Sequence, residues 1–312
     1  MDLFSILVVT LLLLIVVAVG FLMRGTEKEY KHEQLYFKDP RREGEEQPFP
    51  STKDAPTVYM SMIVPAYNEE SRISVMLDET IDYCQKRQEQ EPEFTWEIVV
   101  VDDGSRDNTA QLVQDKYVTP FGTDRIRLNK LVKNVGKGGA VRRGMLVARG
   151  EFMLMVDADG ATQFLDLERL EKAIKKNGNS EFGIAIGSRH SGDQDAQQDR
   201  AWYRNITQFV FHLVVDTFCV KGIKDTQCGF KLFSRSAAFS LFHDMHIERW
   251  AFDAELLYLA QKKKFPISEV AVNWHEVDGS HLSVMSASLQ MFKDIVRIPL
   301  LYNLGLWKMS KN

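Results

Sequence analysis

Between Val58 and Arg189 the chain alternates apolar segments with amphipathic ones, and this alternation limits the fold more than any other feature. The apolar segments YMSMIVPAY (59–67), WEIVVVDDGS (96–105), RIRLNKLVKN (125–134), EFMLMVDAD (151–159) and FGIAIGSR (182–189) have the length of strands. Between them, SRISVMLDETIDYCQKRQ, RDNTAQLVQDKY, GGAVRRGMLVAR and DLERLEKAIKK space their apolar residues as helices do. The central strands are continuously apolar rather than alternating. That predicts an α/β domain with a mostly parallel sheet, covered by helices on both faces.

In an open parallel sheet, ligands bind beyond the carboxyl ends of the strands. Three such ends carry polar groups: Val64-Pro65-Ala66-Tyr67-Asn68-Glu69-Glu70, Val101-Asp102-Asp103-Gly104-Ser105 and Asp157-Ala158-Asp159. Each alone reads equally as a turn or a helix cap. Together they gather carboxylates on one rim, which is unfavourable unless a cation or hydrogen-bond donors occupy the middle. The last end is the sharpest case. Residues i and i+2 of a strand share a face, so Asp157 and Asp159 repel each other unless something positive lies between them. A hard divalent ion, Mg²⁺ or Mn²⁺, meets that need with one or two protein carboxylates, taking its other ligands from water and substrate phosphates. The substrate this implies is a diphosphate. No GxxxxGK[ST] occurs and no GxGxxG follows the first strand, which argues against a P-loop enzyme and a dinucleotide oxidoreductase. The segment Asn134–Ala140 is either a plain loop-to-helix turn or a glycine-rich approach to a nucleotide, with Lys137 beside a helix N-terminus.

Outside this region, Leu3–Met23 carries no charged residue and is long enough to span a hydrocarbon core of about 30 Å. The leading charge is Asp2, and Arg24, Lys28 and Lys31 follow the run, so residues 1–23 read as an anchor rather than a cleaved signal peptide. The positive-inside rule then places the body in the cytosol, and Asn205-Ile206-Thr207 is a chance sequon. Residues 24–56, polar and rich in proline, read as a juxtamembrane linker with little regular structure, and 57–275 as the catalytic domain. Residues 202–220 are an apolar helical stretch that suits either a core or a membrane interface. Residues 276–312 read as an amphipathic interfacial segment, with Tyr302 and Trp307 at headgroup level. Across 312 residues the net charge is −4 and no strongly basic domain appears, so nucleic acid is not an expected partner. Cys84, Cys219 and Cys228 are scattered without ligand spacing, arguing against zinc or a disulfide framework. Oligomeric state is left open, a homo-oligomer included.

VPAYNEE, VDDGSRDNT, NVGKGGAVRRGM and VDADGA, in that order, resemble the nucleotide-sugar half of family 2 glycosyltransferases with the Rossmann-like GT-A fold. GSRH, DTQCGFKLF and RWAFDAELL resemble one branch of it, whose members move glucose from UDP-glucose to dolichyl phosphate. The likeness runs from about Ser61 to Trp274. It implies a metal-dependent, inverting transferase on the endoplasmic reticulum membrane, making dolichyl β-D-glucosyl phosphate for N-glycan precursor assembly. By the same resemblance Pro65, Tyr67 and Glu69 line the uridine pocket, Asp102 bonds the base or ribose, and Asp103 and Lys137 lie close to the nucleotide. Asp157 and Asp159 hold Mg²⁺ or Mn²⁺, with Gln163 a further ligand. Arg189 faces the phosphates, Asp225, Gln227 and Lys231 sit near the acceptor, and Asp253 takes the place of a catalytic base. The acceptor is a phosphate monoester with a second pKa of about 6, so it needs little deprotonation near neutral pH. Asp253 therefore either abstracts a proton or orients the acceptor. Arg200, Arg204, Lys221 and Lys231 are the cations on hand for the acceptor phosphate. The alternatives are a polyprenyl-phosphate transferase of the same family that uses GDP-mannose or another nucleotide sugar, and a non-catalytic nucleotide-sugar-binding protein of the same fold. His246 stands where processive polysaccharide synthases carry the Gln of QxxRW, which counts against a polymerising enzyme; His243 and His246 lack further ligands and are no metal pair.

Overall fold

A computed structural model describes Gly20 and residues 36–39, 46–176, 181–189, 215–216, 219–275, 277 and 284–310. Residues His32–Asn312 form one compact unit. Apart from Gly20, the expected anchor lies outside the described residues, as do Arg200, Arg204 and most of 202–220. Among the described residues no helix is long and apolar enough to cross a membrane.

Among the described residues, seven strands make the main sheet, in the order β5-β4-β3-β6-β8-β7-β9. They are β3 (Val58–Ala66), β4 (Trp96–Asp102), β5 (Ile126–Lys130), β6 (Gly150–Val156), β7 (Ile184–Ser188), β8 (Phe230–Ser234) and β9 (Ile267–Ala271). Pairing is parallel from β5 through β6 and between β7 and β9, while β8 runs antiparallel to both β6 and β7. The mostly parallel sheet expected from the apolar runs is therefore what forms, and β8 is the strand that departs from it.

The helices are α1 (Ile73–Gln90), α2 (Thr109–Val113, continued by a π turn), α3 (Lys137–Leu146), α4 (Leu167–Lys176), α5 (Arg235–Asp244), α6 (Phe252–Lys262) and α7 (Val284–Asn303). Successive β3 residues point to opposite faces, and both faces are covered. Met60, Met62 and Val64 meet Met76, Leu77 and Ile81 of α1 on one side, with Leu170 and Ile174 of α4 in the same cluster. On the other, α3 lies so close that Gly144 rests on Ile63 and Val101. Each such aliphatic side chain contributes about 1.5–3 kcal/mol by leaving water, which is why these strands tolerate no polar alternation. At the end of the sheet opposite the strand tips that carry the acidic groups, Glu97 and Arg127 are buried and paired at 2.6 Å, with Ser61 and Arg149 completing the carboxylate's partners.

Within 24–56 the described regular structure is slight: β1 (Tyr36–Lys38) pairs antiparallel with β2 (Glu46–Pro48), and Phe37 and Phe49 pack together at 5.1 Å, with the Arg127 guanidinium over both rings. One expectation changes. Tyr302 and Trp307 do not form a headgroup-level belt. Both are buried in the protein, where Trp307 stacks on His246 at 4.4 Å and the Tyr302 hydroxyl donates to Glu255 at 2.8 Å. Their apolar bodies and polar tips suit a protein core with buried acceptors as well as a membrane interface, and sequence cannot tell the two apart.

Candidate active site

The loops after β3 and β4 are laced together above the sheet. Asn68, in the left-handed region at φ 57°, accepts the Arg106 N–H at 2.8 Å through its side chain, and its own N–H donates to Ser105 Oγ at 2.9 Å. Asn suits this conformation better than most residues because its short amide bonds locally. The Glu69 N–H donates to Thr109 Oγ1 at 2.8 Å. These bonds fix Pro65, Tyr67 and Glu69 along one wall of a cavity of about 410 Å³. Arg72 closes that wall with two hydrogen bonds to Glu69, at 2.7 and 2.8 Å. Burial lifts the Glu69 pKa, against the pull of Arg72.

The opposite wall starts from Asp103. Its carboxylate accepts the backbone N–H groups of Val135 at 2.7 Å and Gly136 at 2.9 Å, clamping the glycine-rich turn that opens α3. Burial pushes Asp103 up to about 6, although those two N–H groups pull it down. Gly136 has φ 104°, and a Cβ there would lie 2.7 Å from the Glu248 carbonyl oxygen, so the turn requires glycine. That contact carries the loop before α6 to the cavity, where Arg249 and Trp250 form part of the lining. Asp102 is fully buried beneath the turn and lines neither this cavity nor the one described next.

Asp157 and Asp159 follow the end of β6 and stand between two cavities, lining both. The second cavity, about 120 Å³, is also lined by Thr162, Arg189, Gln227, Gly229 and Trp274. The positive group that the acidic pair demands is Lys137, the first residue of α3: its Nζ lies 2.6 Å from Asp157 Oδ1. Burial works against this ammonium, but Asp157 foremost, then Asp253 and Asp159, outweigh it and hold its pKa above the usual lysine range. Asp157 also owes its position to Gly229, since a Cβ at 229 would come within 2.0 Å of Asp157 Oδ2. The glycine of the DTQCGFKLF segment is thus a cradle for this carboxylate.

A divalent ion fits this donor set. The two carboxylates are hard oxygen ligands, one of them seated in a recess only glycine permits, and both open onto cavities. Among the described residues no three His, Cys, Asp or Glu side chains converge as a complete metal cage, so remaining ligands would come from substrate and water. Gln163 is exposed and lines neither cavity; its backbone bonds Asn273.

Behind the carboxylates sit two further ion pairs. Asp225, fully buried, takes the Arg189 Nε and Nη2 donors at 2.7 and 2.8 Å, and Arg189 holds its pKa down at about 2 despite burial. Arg189 is thereby aimed at the smaller cavity. Lys231 is fully buried and donates to Asp253 Oδ1 at 2.5 Å and to the Cys228 carbonyl at 2.5 Å. Counted by sequence among the cations available to an acceptor, Lys231 is instead sealed beneath Asp253, and neither residue lines either of these two cavities. Burial raises the Asp253 pKa, against the pull of Lys231 and Lys137. Lys221 is exposed and lines neither cavity.

A model of glycosyl transferase family 2 matches residues 61–242. The chain belongs to that family. A dolichyl-phosphate beta-glucosyltransferase of Dictyostelium discoideum is 52% identical over 274 residues, covering 86% of this chain and 84% of that protein. Its human counterpart by name is 47% identical over 284 residues, covering 90% and 87%. Among solved structures, mannosyl-3-phosphoglycerate synthase from Rubrobacter xylanophilus aligns with a TM-score of 0.56 at 18% identity, over 82% of this chain and 77% of that one. Glucosyl-3-phosphoglycerate synthase from Mycobacterium tuberculosis, solved with Mn²⁺, UDP-glucose and phosphoglyceric acid, aligns at 0.53 and 17%, over 82% of each chain. These likenesses establish the GT-A-like architecture. Arg72, Arg249, Trp250 and Gly229 were not singled out as site residues from sequence. For Arg249 and Trp250 the available signal was the RW of the RWAFD segment, which marks the branch but says nothing of where its loop folds.

Proposed function

We propose that this chain transfers glucose from UDP-glucose to dolichyl phosphate, with inversion at the anomeric carbon and with Mg²⁺ or Mn²⁺ as cofactor. One observation carries the reading: Asp157 and Asp159 stand between a larger cavity walled by the nucleotide-sugar segments and a smaller one faced by Arg189. Relatives bearing the name of that activity, two of them 52% and 47% identical over most of the chain, support the choice of sugar and acceptor.

In this reading the uridine diphosphate end enters the larger cavity, along Pro65, Tyr67, Glu69 and Arg72. Asp157 and Asp159 hold the divalent ion, which when bound supplies positive charge against the diphosphate that leaves. Arg189, kept in place by Asp225, adds a fixed guanidinium beside the same centre. The acceptor phosphate approaches from the smaller cavity. One of its oxygens forms the new bond to the anomeric carbon as the bond to UDP breaks, in a single in-line displacement. A dianionic phosphate is already a nucleophile, so no strong base is called for. Asp253, locked to Lys231 and lining neither cavity, suits an orienting role better than proton abstraction. The uncharged run before Arg24 would tether the enzyme in the endoplasmic reticulum membrane as a single pass, with the catalytic domain in the cytosol. Exposed Phe292 and Leu300 of α7, with Leu304, Leu306 and Met309 after it, would meet the lipid where the acceptor resides.

The test supplies the membrane-embedded protein with dolichyl phosphate and either labelled UDP-glucose or labelled GDP-mannose. Labelled lipid from UDP-glucose is expected; product from GDP-mannose alone would overturn the donor assignment. Asp159→Ala should abolish turnover, and unchanged turnover would refute the metal mechanism.

A further inference from the structure

We propose that Lys137 is a resident counter-ion that makes divalent-metal binding conditional on the diphosphate. The inference rests on the reading of this site as a metal and nucleoside-diphosphate site, and it goes beyond it by assigning an order and a device.

Two lysines face three carboxylates here, and their burial separates them. Lys231 is fully enclosed between Asp253 and the Cys228 carbonyl, so its ammonium is committed to those two partners. Lys137 has a side chain 23% exposed and lines the larger cavity, while its partner Asp157 is 31% exposed. The base of the Lys137 arm is fixed. It follows Gly136, which is pinned by Asp103 and crowded by Glu248, and Gly139 donates to the Glu248 carbonyl at 2.8 Å. The head, a compact ammonium on a flexible four-carbon stem, can leave Asp157 without disturbing α3.

A divalent ion arriving alone meets an ammonium already on the carboxylate it needs. It must displace that charge or endure like-charge repulsion at a few ångströms in a half-buried setting, where screening is weak. When a diphosphate fills the larger cavity, the ion gains phosphate ligands and the ammonium gains an anion other than Asp157. Metal and nucleotide then favour each other, and by linkage each tightens the other by the same factor. In their absence Lys137 stays paired with Asp157, which sits over Gly229.

The experiment is a Mn²⁺ titration of the full chain in detergent, read by the spin-resonance signal of free Mn²⁺, with and without UDP and corrected for Mn²⁺–UDP in solution. For the unaltered protein, UDP should tighten Mn²⁺ by about 10- to 100-fold, within the usual span of such couplings. Lys137→Met should bind Mn²⁺ about tenfold more tightly than the unaltered protein when UDP is absent, and UDP should then add only a few-fold. Lys137→Arg, which keeps the charge, should retain most of the coupling, and melting temperatures confirm that both variants fold. Equal Mn²⁺ affinity of Lys137→Met and the unaltered protein without UDP would overturn the proposal. So would an equal gain in Mn²⁺ affinity with and without UDP, which marks general electrostatics rather than coupling. Failure of the unaltered protein to bind Mn²⁺ even with UDP would overturn the metal and diphosphate reading itself, and is distinct from either of those patterns.

Discussion

Gly229→Ala tests the seat of Asp157. The new methyl carbon would lie 2.0 Å from Asp157 Oδ2 and 2.3 Å from its Cγ, whereas even close carbon–oxygen contacts stay at roughly 3.3 Å or more. Something must retreat by about 1 Å. The backbone is the stiffer partner, because Gly229 enters β8 directly and the register from Val156↔Phe230 to Phe152↔Ser234 ties β8 to β6. The carboxylate therefore yields, moving off its recess and away from Lys137. A misplacement of about 1 Å in a reacting group costs about 10²-fold in rate, equivalent to about 2.7 kcal/mol on the barrier. The accompanying overpacking costs about 1–3 kcal/mol of stability, so the variant should stay folded. The assay is the initial rate with UDP-glucose and dolichyl phosphate over a range of Mn²⁺ concentrations, alongside a melting curve. Because both changes act through one carboxylate, Gly229→Ala combined with Asp157→Asn should be scarcely slower than Asp157→Asn alone. A rate within about threefold of the unaltered enzyme would show that Asp157 does not work from this position.

Four other outcomes follow from buried groups. Lys231→Met should cost about 3–5 kcal/mol by denaturant titration, because it strands the Asp253 charge in the interior; adding Asp253→Leu should restore most of that, and no restoration would mean the pair is not the cause. Asp103 is raised by burial from 3.8 to about 6, so ionising it costs more in the folded chain than in the unfolded one. Its contribution to stability is full below pH 3.8 and lost as pH rises through about 6. The melting temperature should therefore fall relative to Asp103→Asn across that window, and parallel curves would contradict it. Tyr302→Phe removes a donor to buried Glu255 and should cost about 1–3 kcal/mol, and Trp307→Ala about 3–5 kcal/mol, both by thermal unfolding in detergent. If Trp307 served only as a lipid anchor, its loss would leave the unfolding unchanged.

The parallel half of the sheet was legible because its information is local. Each of β3, β4 and β6 is a continuous apolar run, and each delivers its polar residues to the same rim. β8 carries no such local signal. Its partners β6 and β7 lie far away in sequence, and five residues, Phe-Lys-Leu-Phe-Ser, are too few to show a period that distinguishes strand from helix. The site divides in the same way. Asp157 and Asp159 announced themselves by adjacency, and Pro65, Tyr67 and Glu69 by standing at a strand end. Arg249 and Trp250 reach the same cavity only because Gly136 lets the loop before α6 close on the turn before α3.

The residue order alone required an α/β sheet with an acidic rim, since continuous apolar strands must be covered on both faces and their ends must open to solvent. It also demanded a positive charge between Asp157 and Asp159, because two neighbouring carboxylates cannot share a rim uncompensated. Which charge answers that demand depended on packing. Two lysines of like chemistry, at 137 and 231, end in opposite roles. β8 carries Lys231 into the interior beneath Asp253, while the turn at Gly136 leaves Lys137 at the cavity, within reach of Asp157. Burial and partner geometry assigned those roles, and both are set by contacts between segments the linear chain holds apart.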